Sequence, residues 1–190
     1  AWQADIVREY ARPEQFVTQN FDFEWRGYSF GLQPQVDHFS AAQAMSVVSV
    51  DVYHPGQDHL SGREIAFSGD VARNLKNGRN YYVMETQAQG FAKWTPWPGQ
   101  LRLQAFSHIA SGASMVSYWH WHSIHNSYET YWKGLISHDF APGPTYQEAM
   151  TIGQEMAQLS GVLNELRVEN DVAILVSNDA MEAMNWFKPD

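Results

Sequence analysis

The chain has 190 residues, no cysteine and a formal net charge of −9. This acidity argues against nucleic acids and anionic membranes as partners, because proteins that bind those surfaces carry basic patches. A hydrophobic share of 44% excludes a wholly disordered chain. The absence of cysteine excludes disulfides, thiolate catalysis and cysteine-based zinc sites. It also fits a reducing compartment, so we expect a cytoplasmic protein.

Five stretches are predicted to be buried strands, because each is rich in β-branched or aromatic residues and is bounded by turn-forming residues. Patterns with helical spacing lie between them and before the first. The predicted strands are Phe16–Phe21, Met45–Tyr53, Asn80–Gln87, Met115–Trp121 and Val172–Asp179. The predicted helices are Ala1–Tyr10, Asp37–Ala44, Ser61–Leu75, Pro98–Ile109 and Thr145–Leu166.

The alternation of strands and helices indicates βαβ units and a parallel sheet, either doubly wound or part of a (β/α)8 barrel. The chain contains neither a G-x-G-x-x-G motif after a strand nor a P-loop, which disfavours a nucleotide-binding sheet. In barrels the chemistry lies at the carboxyl ends of the strands. Those ends are polar and aromatic here: Asn20, Asp51–Tyr53, Glu85–Gln87 and Trp119–His122.

Glu85 follows four apolar or aromatic residues of a predicted strand, where a carboxylate is costly unless it is paired or exposed at the strand end. Two interpretations stay open, a hydrogen-bonded structural glutamate or a catalytic carboxylate such as the nucleophile of a retaining glycosidase. Aromatic rings near this end suit the C–H faces of a sugar, although core packing explains any single ring at least as well. They are Tyr53, Trp94, Trp97, Trp119, Trp121, Tyr131 and Trp132.

Glu129 and Trp132 are three residues apart, which brings both side chains to one side of a turn or helix. Such a pair suits the clamping of sugar hydroxyls, and a solvated loop glutamate is the equally simple alternative.

Three histidines lie at or just after the end of the fourth predicted strand, and two of them form a His-x-His pair that on a strand can hold zinc. No H-E-x-x-H helix supports a metal site, and hydrogen bonds to substrate or to the loop backbone are the alternative. We predict no metal and no cofactor. The candidate ligands are His120, His122 and His125, with His138 or Glu129.

Four stretches resemble the family 42 glycoside hydrolases, the microbial β-galactosidases, and the likeness runs from about residue 1 to 180. They are Phe16–Phe21 (FVTQNF), Val50–Gln57 (VDVYHPGQ), Tyr82–Trp94 (YVMETQAQGFAKW) continued by Pro98–Phe106, and Ser117–Asp139 (SYWHWHSIHNSYETYWKGLISHD). The resemblance implies a (β/α)8 TIM barrel followed by an α/β trimerisation domain. It also implies hydrolysis of β-galactosides with retention of configuration, and a homotrimer.

The resemblance also implies roles for single residues. Glu85 matches the catalytic nucleophile at the end of the seventh barrel strand. Tyr53 matches the tyrosine that ends the sixth strand, and Trp94 matches a tryptophan that packs on the sugar. Glu129 matches a carboxylate that binds galactose hydroxyls, and Trp132 falls where some members carry a histidine with the same duty. The implied substrates are β-galactosides of the lactose or galacto-oligosaccharide class.

One member of the catalytic pair is missing from the chain. Retaining hydrolysis needs a nucleophile and an acid/base about 5–5.5 Å apart, and in the family the acid/base glutamate follows an asparagine at the end of the fourth strand. The Asn-Glu pair here, Asn164-Glu165, lies in the last long predicted helix, after Glu85.

We therefore expect a fragment that is inactive alone, and a first residue other than Met agrees with this. Residues 1–168 would hold barrel strands five to eight with their helices. Residues 169–190 would begin the trimerisation domain with its first strand. Two rival functions stay open: a degenerate barrel that binds carbohydrate without cleaving it, which would not need Glu85, and a metal-dependent hydrolase that uses the three histidines.

Overall fold

The structure is a computed structural model that describes residues 2–23, 36–54, 56–90 and 94–187. Ala1, where the first predicted helix begins, lies outside the described residues. In chain order the elements are α1 (Trp2–Tyr10), β1 (Asn20–Asp22), α2 (His38–Gln43), β2 (Ser49–Val52), a 3-10 turn (Gln57–His59), α3 (Gly62–Asn74), β3 (Tyr81–Gln87), α4 (Gln100–Ala110), β4 (Ala113–Trp119), α5 (Pro144–Leu163) and α6 (Asn178–Trp186).

The four strands form one sheet in the order β1-β2-β3-β4, and every pair is parallel. A helix lies between each strand and the next along the chain, because parallel neighbours need a crossover connection. The α/β class and the parallel sheet are therefore confirmed, and each of the first four predicted strands overlaps a strand of the structure. Among the described residues, β1 and β4 pair with another strand on one side only.

The main core lies between this sheet and the helices that cover one of its faces. Alternate residues of β2 and β3 point into it, as the period of two along a strand requires. Its buried members include Val50, Val52, Tyr81 and Val83 from the strands, and Ile65, Val71, Ala72 and Leu75 from α3 and its end. A second, smaller core joins α4 to α5 through Leu101, Ala105 and Ile152.

The first strand is shorter than predicted. Residues 16–19 run beside the chain before β2 and are held there by one backbone hydrogen bond, from Ser46 N to Val17 O at 2.8 Å, and by side chains. The Thr18 hydroxyl donates to Val47 O at 2.8 Å, and the Val17 backbone N–H donates to the Ser46 hydroxyl at 3.1 Å. The regular ladder begins only at Asn20, which pairs with Ser49.

The prediction of a strand at Val172–Asp179 is wrong in this structure. Residues 172–177 form no strand, and the last two residues of the segment begin α6, whose first turn is capped by a hydrogen bond from Ala180 N to Ser177 Oγ at 3.2 Å. Ile174 and Leu175 are 77% and 93% exposed. A β-branched sequence cannot form a ladder without a neighbouring strand, and the described residues offer none here. No helix of the described residues is long and apolar enough to span a bilayer.

Candidate active site

A β-bulge in β3 determines the face of the sheet on which the Glu85 side chain lies. Between Val83 and the next paired residues, β3 contains one residue more than either neighbouring strand, which is the definition of a β-bulge. The extra residue falls at Met84. The pairs that show it are Val50 with Val83 and Asp51 with Glu85 on one side, and Val83 with Val116 and Thr86 with Tyr118 on the other.

The bulge reverses the alternation of side chains along β3. Thr86 is fully buried on the helix side, where the Gln104 side-chain amide of α4 donates to its hydroxyl at 2.8 Å. Glu85 consequently lies on the opposite face of the sheet, beside Asp51 of β2. With strict alternation after Val83, Glu85 would have pointed into the apolar core instead.

Both oxygens of the Glu85 carboxylate accept a hydrogen bond, one from Asn20 on β1, two strands away, and one from Tyr53 just after β2. The Asn20 side-chain amide donates to Oε1 at 3.0 Å, and the Tyr53 hydroxyl donates to Oε2 at 2.9 Å. Burial first, and then the negative charge of Glu85, raise the pKa of Tyr53 far above its ordinary value, so its hydroxyl keeps its proton as a donor. The carboxylate is therefore fixed in orientation from two sides.

Indole rings connect this carboxylate to Glu129. The ring of Trp132 meets the Tyr53 ring edge to face, with centroids 5.8 Å apart. Its indole N–H donates to Trp119 O at 3.3 Å, and the Trp119 indole N–H donates to Glu129 Oε2 at 3.0 Å. The structure thus brings four of the five predicted site residues into one continuous group.

The loop that carries Trp132 is attached to the loop after β3. Lys133 N donates to Gly90 O at 3.0 Å, and the buried Gln89 side chain donates to Gly134 O at 2.8 Å. The backbone packs so tightly at Gly134 that an added Cβ would lie 2.6 Å from both His120 O and the His122 carbonyl carbon.

Gly134→Ala is therefore expected to destabilise the protein by about 1–3 kcal/mol, since backbone atoms must move to admit the methyl group. Thermal unfolding checks this. Gly153→Ala on α5 is the matched control, because its added Cβ meets no atom within 4 Å and the change should be neutral or mildly stabilising. Equal stability of the two variants would contradict the expectation.

Trp94, the fifth predicted residue, is only 6% exposed and packs against Gly56 and Gly90. Its indole nitrogen is buried and has no hydrogen-bond partner among the described residues. No described contact joins it to the Glu85 group, so this structure shows it as a packed ring near the loop after β3.

The rings of the histidines after β4 contact one another, edge to face for His120 with His122 and tilted for His125 with His138. The centroids of His120 and His122 are 5.3 Å apart, and those of His125 and His138 are 5.0 Å apart. Burial, and then the neighbouring His122, lower the pKa of His120. Within the described part of the chain, no group of three or more His, Asp or Glu side chains is arranged to hold a metal ion.

Asn164-Glu165 lies at the wrong end of the sheet to act with Glu85. Asn164 caps the end of α5, and it lines a cavity together with Ala113, the first residue of β4. The Glu85 group lies at the other end of the strands, where Trp119 ends β4.

Sequence reasoning missed two polar residues of the site, Asn20 as a donor to Glu85 and Asp51 as its neighbour. Both were visible at the strand ends, but a strand-end position alone does not say which side chains share a face.

The sheet is built of parallel βα units, and at its strand ends lie a carboxylate fixed by hydrogen bonds and several indole rings. These are features of a barrel-type glycoside hydrolase. The family model Glyco_hydro_42, described as beta-galactosidase, matches residues 1–159. The chain belongs to this family, glycoside hydrolase family 42.

Similar proteins carry the same description. The chain is 26% identical over 186 residues to the beta-galactosidase BgaA of Clostridium cellulovorans and 32% identical over 178 residues to a beta-galactosidase of Thermus thermophilus. These matches cover 94% and 83% of this chain but 27% and 26% of the relatives, so the chain spans about a quarter of their length.

Among solved structures, the beta-galactosidase of the Antarctic haloarchaeon Halorubrum lacusprofundi is similar with a TM-score of 0.81 at 27% identity. The match covers 96% of this chain and 28% of that one. A family 42 β-galactosidase from G. stearothermophilus matches with a TM-score of 0.82 at 22% identity, which speaks for the fold alone.

Proposed function

We propose that this chain is the carboxyl-terminal part of the catalytic barrel of a retaining β-galactosidase. In this proposal β1 to β4 are barrel strands five to eight, residues 1–168 belong to the barrel, and residues 169–190 begin the trimerisation domain. The observation that carries the proposal is the Glu85 carboxylate, which is held by Asn20 and Tyr53 at a strand end. Family membership and the names of the relatives supply the substrate class.

In the mechanism that follows, Glu85 attacks the anomeric carbon of a terminal β-galactosyl group while the glycosidic oxygen leaves with a proton. A covalent α-galactosyl ester results. Water then attacks the same carbon, loses its proton to the residue that had donated one, and releases galactose with the β-configuration restored. The fixed orientation of Glu85 supports the first step, because a nucleophile that needs no reorientation loses less entropy in the transition state.

The proton donor of this mechanism is proposed to lie upstream of the chain. Asn164-Glu165 is at the opposite end of β4, and Glu129 already accepts a hydrogen bond from Trp119. Asp51 lies on the strand next to Glu85, beside it rather than across a bound sugar.

The two outer strands support the idea of a missing half-barrel. Apolar grooves flank the sheet on both sides, and exposed strand edges with apolar surroundings are sites for further pairing. One groove lies between α1 and the chain before β1 and is lined by Ile6, Val7, Tyr10, Phe16 and Val17. The other lies between the start of β4 and α5 and includes Ile109, Ala113, Met156 and Leu163.

Glu129, Trp132 and Trp94 are proposed to contact the sugar. Glu129 would accept hydrogen bonds from galactose hydroxyls through the oxygen that Trp119 leaves free. Trp132 would offer its ring, and Trp94 would need to turn from its buried position to do the same. The homotrimer and the cytoplasmic location implied by the family resemblance are proposals of the same kind.

The test is an assay of the longer protein, with its upstream barrel half, on nitrophenyl β-galactoside and on the matching β-glucoside, which differs only in the configuration at C4. We expect hydrolysis of the galactoside, with β-galactose as the first product seen by proton NMR. Binding without turnover would favour the rival carbohydrate-binding function, and turnover lost with a chelator would favour the metal-dependent one.

Tyr53→Phe in the same protein is expected to lower kcat/KM roughly 10- to 100-fold, since it removes one charged hydrogen bond from Glu85 and leaves the ring in place. Tyr128→Phe is the matched control, because Tyr128 is 99% exposed and its hydroxyl should not matter. Unchanged kinetics of Tyr53→Phe would show that the hydroxyl does not orient the nucleophile.

A further inference from the structure

Asp51 is a second carboxyl group beside Glu85. The two residues are Cα partners on adjacent parallel strands, so their side chains leave the same face of the sheet about 4.8 Å apart at the backbone. The Asp51 side chain is half-buried, and its Oδ1 is buried and accepts no hydrogen bond from a described residue. An ionised carboxylate in that position is costly, because it lacks both water and a partner at this oxygen.

The groups that face Asp51 come from both neighbouring strands. Glu85 lies on β3, and Asn20 and Asp22 lie on β1, where Asp22 is the register partner of Asp51. Burial first, then the Glu85 charge and, more weakly, the Asp22 charge raise the pKa of Asp51 to about 7, while hydrogen bonding from Asn20 acts against them. Asp51 therefore keeps a proton in mildly acidic solution.

We propose that Asp51 is a positioning residue for Glu85. While protonated, Asp51 leaves Glu85 in the place set by Asn20 and Tyr53; once ionised, it attracts the Asn20 amide and repels the Glu85 carboxylate from that place. The proposal rests on the proposed function, in which Glu85 is the nucleophile. The single Asn20 side chain is the link, since its amide already donates to Glu85 Oε1. An ionised Asp51 would also repel the Glu85 carboxylate from one strand away.

The proposal predicts that kcat/KM falls in alkaline solution. As the pH rises through about 7, Asp51 loses its proton and Glu85 loses its fixed position, so kcat/KM should fall. Asp51→Asn has the same shape and stays neutral, so it removes this titration. In the longer protein we expect activity within a few-fold of normal at about pH 6, and an alkaline fall displaced upward by about one pH unit or more. Asp171→Asn, an exposed change, is the control and should leave the profile unaltered.

Comparison of leaving groups separates this role from that of the general acid. A positioning residue affects good and poor leaving groups alike, whereas loss of a general acid spares an activated dinitrophenyl glycoside and abolishes cleavage of lactose. The proposal would be overturned if Asp51→Asn retained cleavage of the activated glycoside but lost cleavage of lactose. It would also be overturned if the fall of kcat/KM at alkaline pH were the same in Asp51→Asn as in the unaltered protein.

An NMR titration, which does not depend on enzymatic activity, tests the proposal if the variant fails to fold or if the protein is not a hydrolase. With ¹³C-labelled aspartate, the Asp51 carboxyl carbon should titrate near pH 7 and should titrate at lower pH in Glu85→Gln, because one of the charges that raise its pKa is gone. A midpoint near the ordinary value of about 4 would overturn the proposal. A protein without galactosidase activity but with the raised midpoint would refute only the proposed function.

Discussion

Glu85→Ala in the longer protein is expected to reduce hydrolysis of a β-galactoside on the order of 10⁴-fold or more, as removal of a covalent nucleophile does. The alanine also leaves a space beside Asn20 and Tyr53, whose donors lose their acceptor. A small anion fits such a space, so azide or formate should restore part of the activity. Azide should yield the α-galactosyl azide, because it attacks from the side that Glu85 occupied.

Glu182→Ala is the matched control for this variant, since Glu182 lies exposed on α6, away from the sheet. It should retain normal kinetics. Near-normal turnover of Glu85→Ala without azide would remove Glu85 from the nucleophile role and would return it to the structural interpretation that its sequence context also permits.

The 190-residue chain alone is expected to show no turnover above that of its own Glu85→Ala variant. The physical reason is that the proposed function assigns the nucleophile to Glu85 but the acid/base to a residue upstream of the chain, and general acid–base catalysis contributes about 10²–10⁴-fold to such reactions. In the part of the chain that the structure describes, no strand covers the outer edge of β1 or of β4.

Co-expression with the upstream half of the barrel should restore hydrolysis, because the two halves would bury the apolar grooves beside α1 and α5. The Glu85→Ala version of the same pair should stay inactive. Enzyme-like turnover by the 190-residue chain alone would contradict the fragment interpretation.

Much of the fold follows from local patterns in the sequence. The apolar and aromatic runs that became β2, β3 and β4 and the helical spacing of α3 to α5 place three βα units correctly, because each pattern depends on residues close in the chain. Val172–Asp179 shows the limit of this reasoning. Its composition favours a strand, but a strand also needs a neighbour, which composition cannot supply.

The site could be predicted only in part for a related reason. Glu85, Tyr53, Glu129 and Trp132 were visible as strand-end and loop residues, and the structure brings them together. The bulge at Met84 could not be seen, because it appears only when the register of β3 is compared with its two neighbours. Asp51 is the register partner of Glu85 only because of that bulge, so their adjacency could not be predicted from the sequence either.

The most direct test of the central claim is covalent trapping of the nucleophile. A 2-deoxy-2-fluoro-β-galactoside with an activated leaving group slows both steps, and the second more than the first, so the glycosyl-enzyme accumulates. After incubation with the longer protein and proteolysis, mass spectrometry should find the fluorosugar ester on Glu85, within the peptide that contains Tyr81–Gln87. A label on another carboxylate, or an active enzyme that carries no label, would contradict the account.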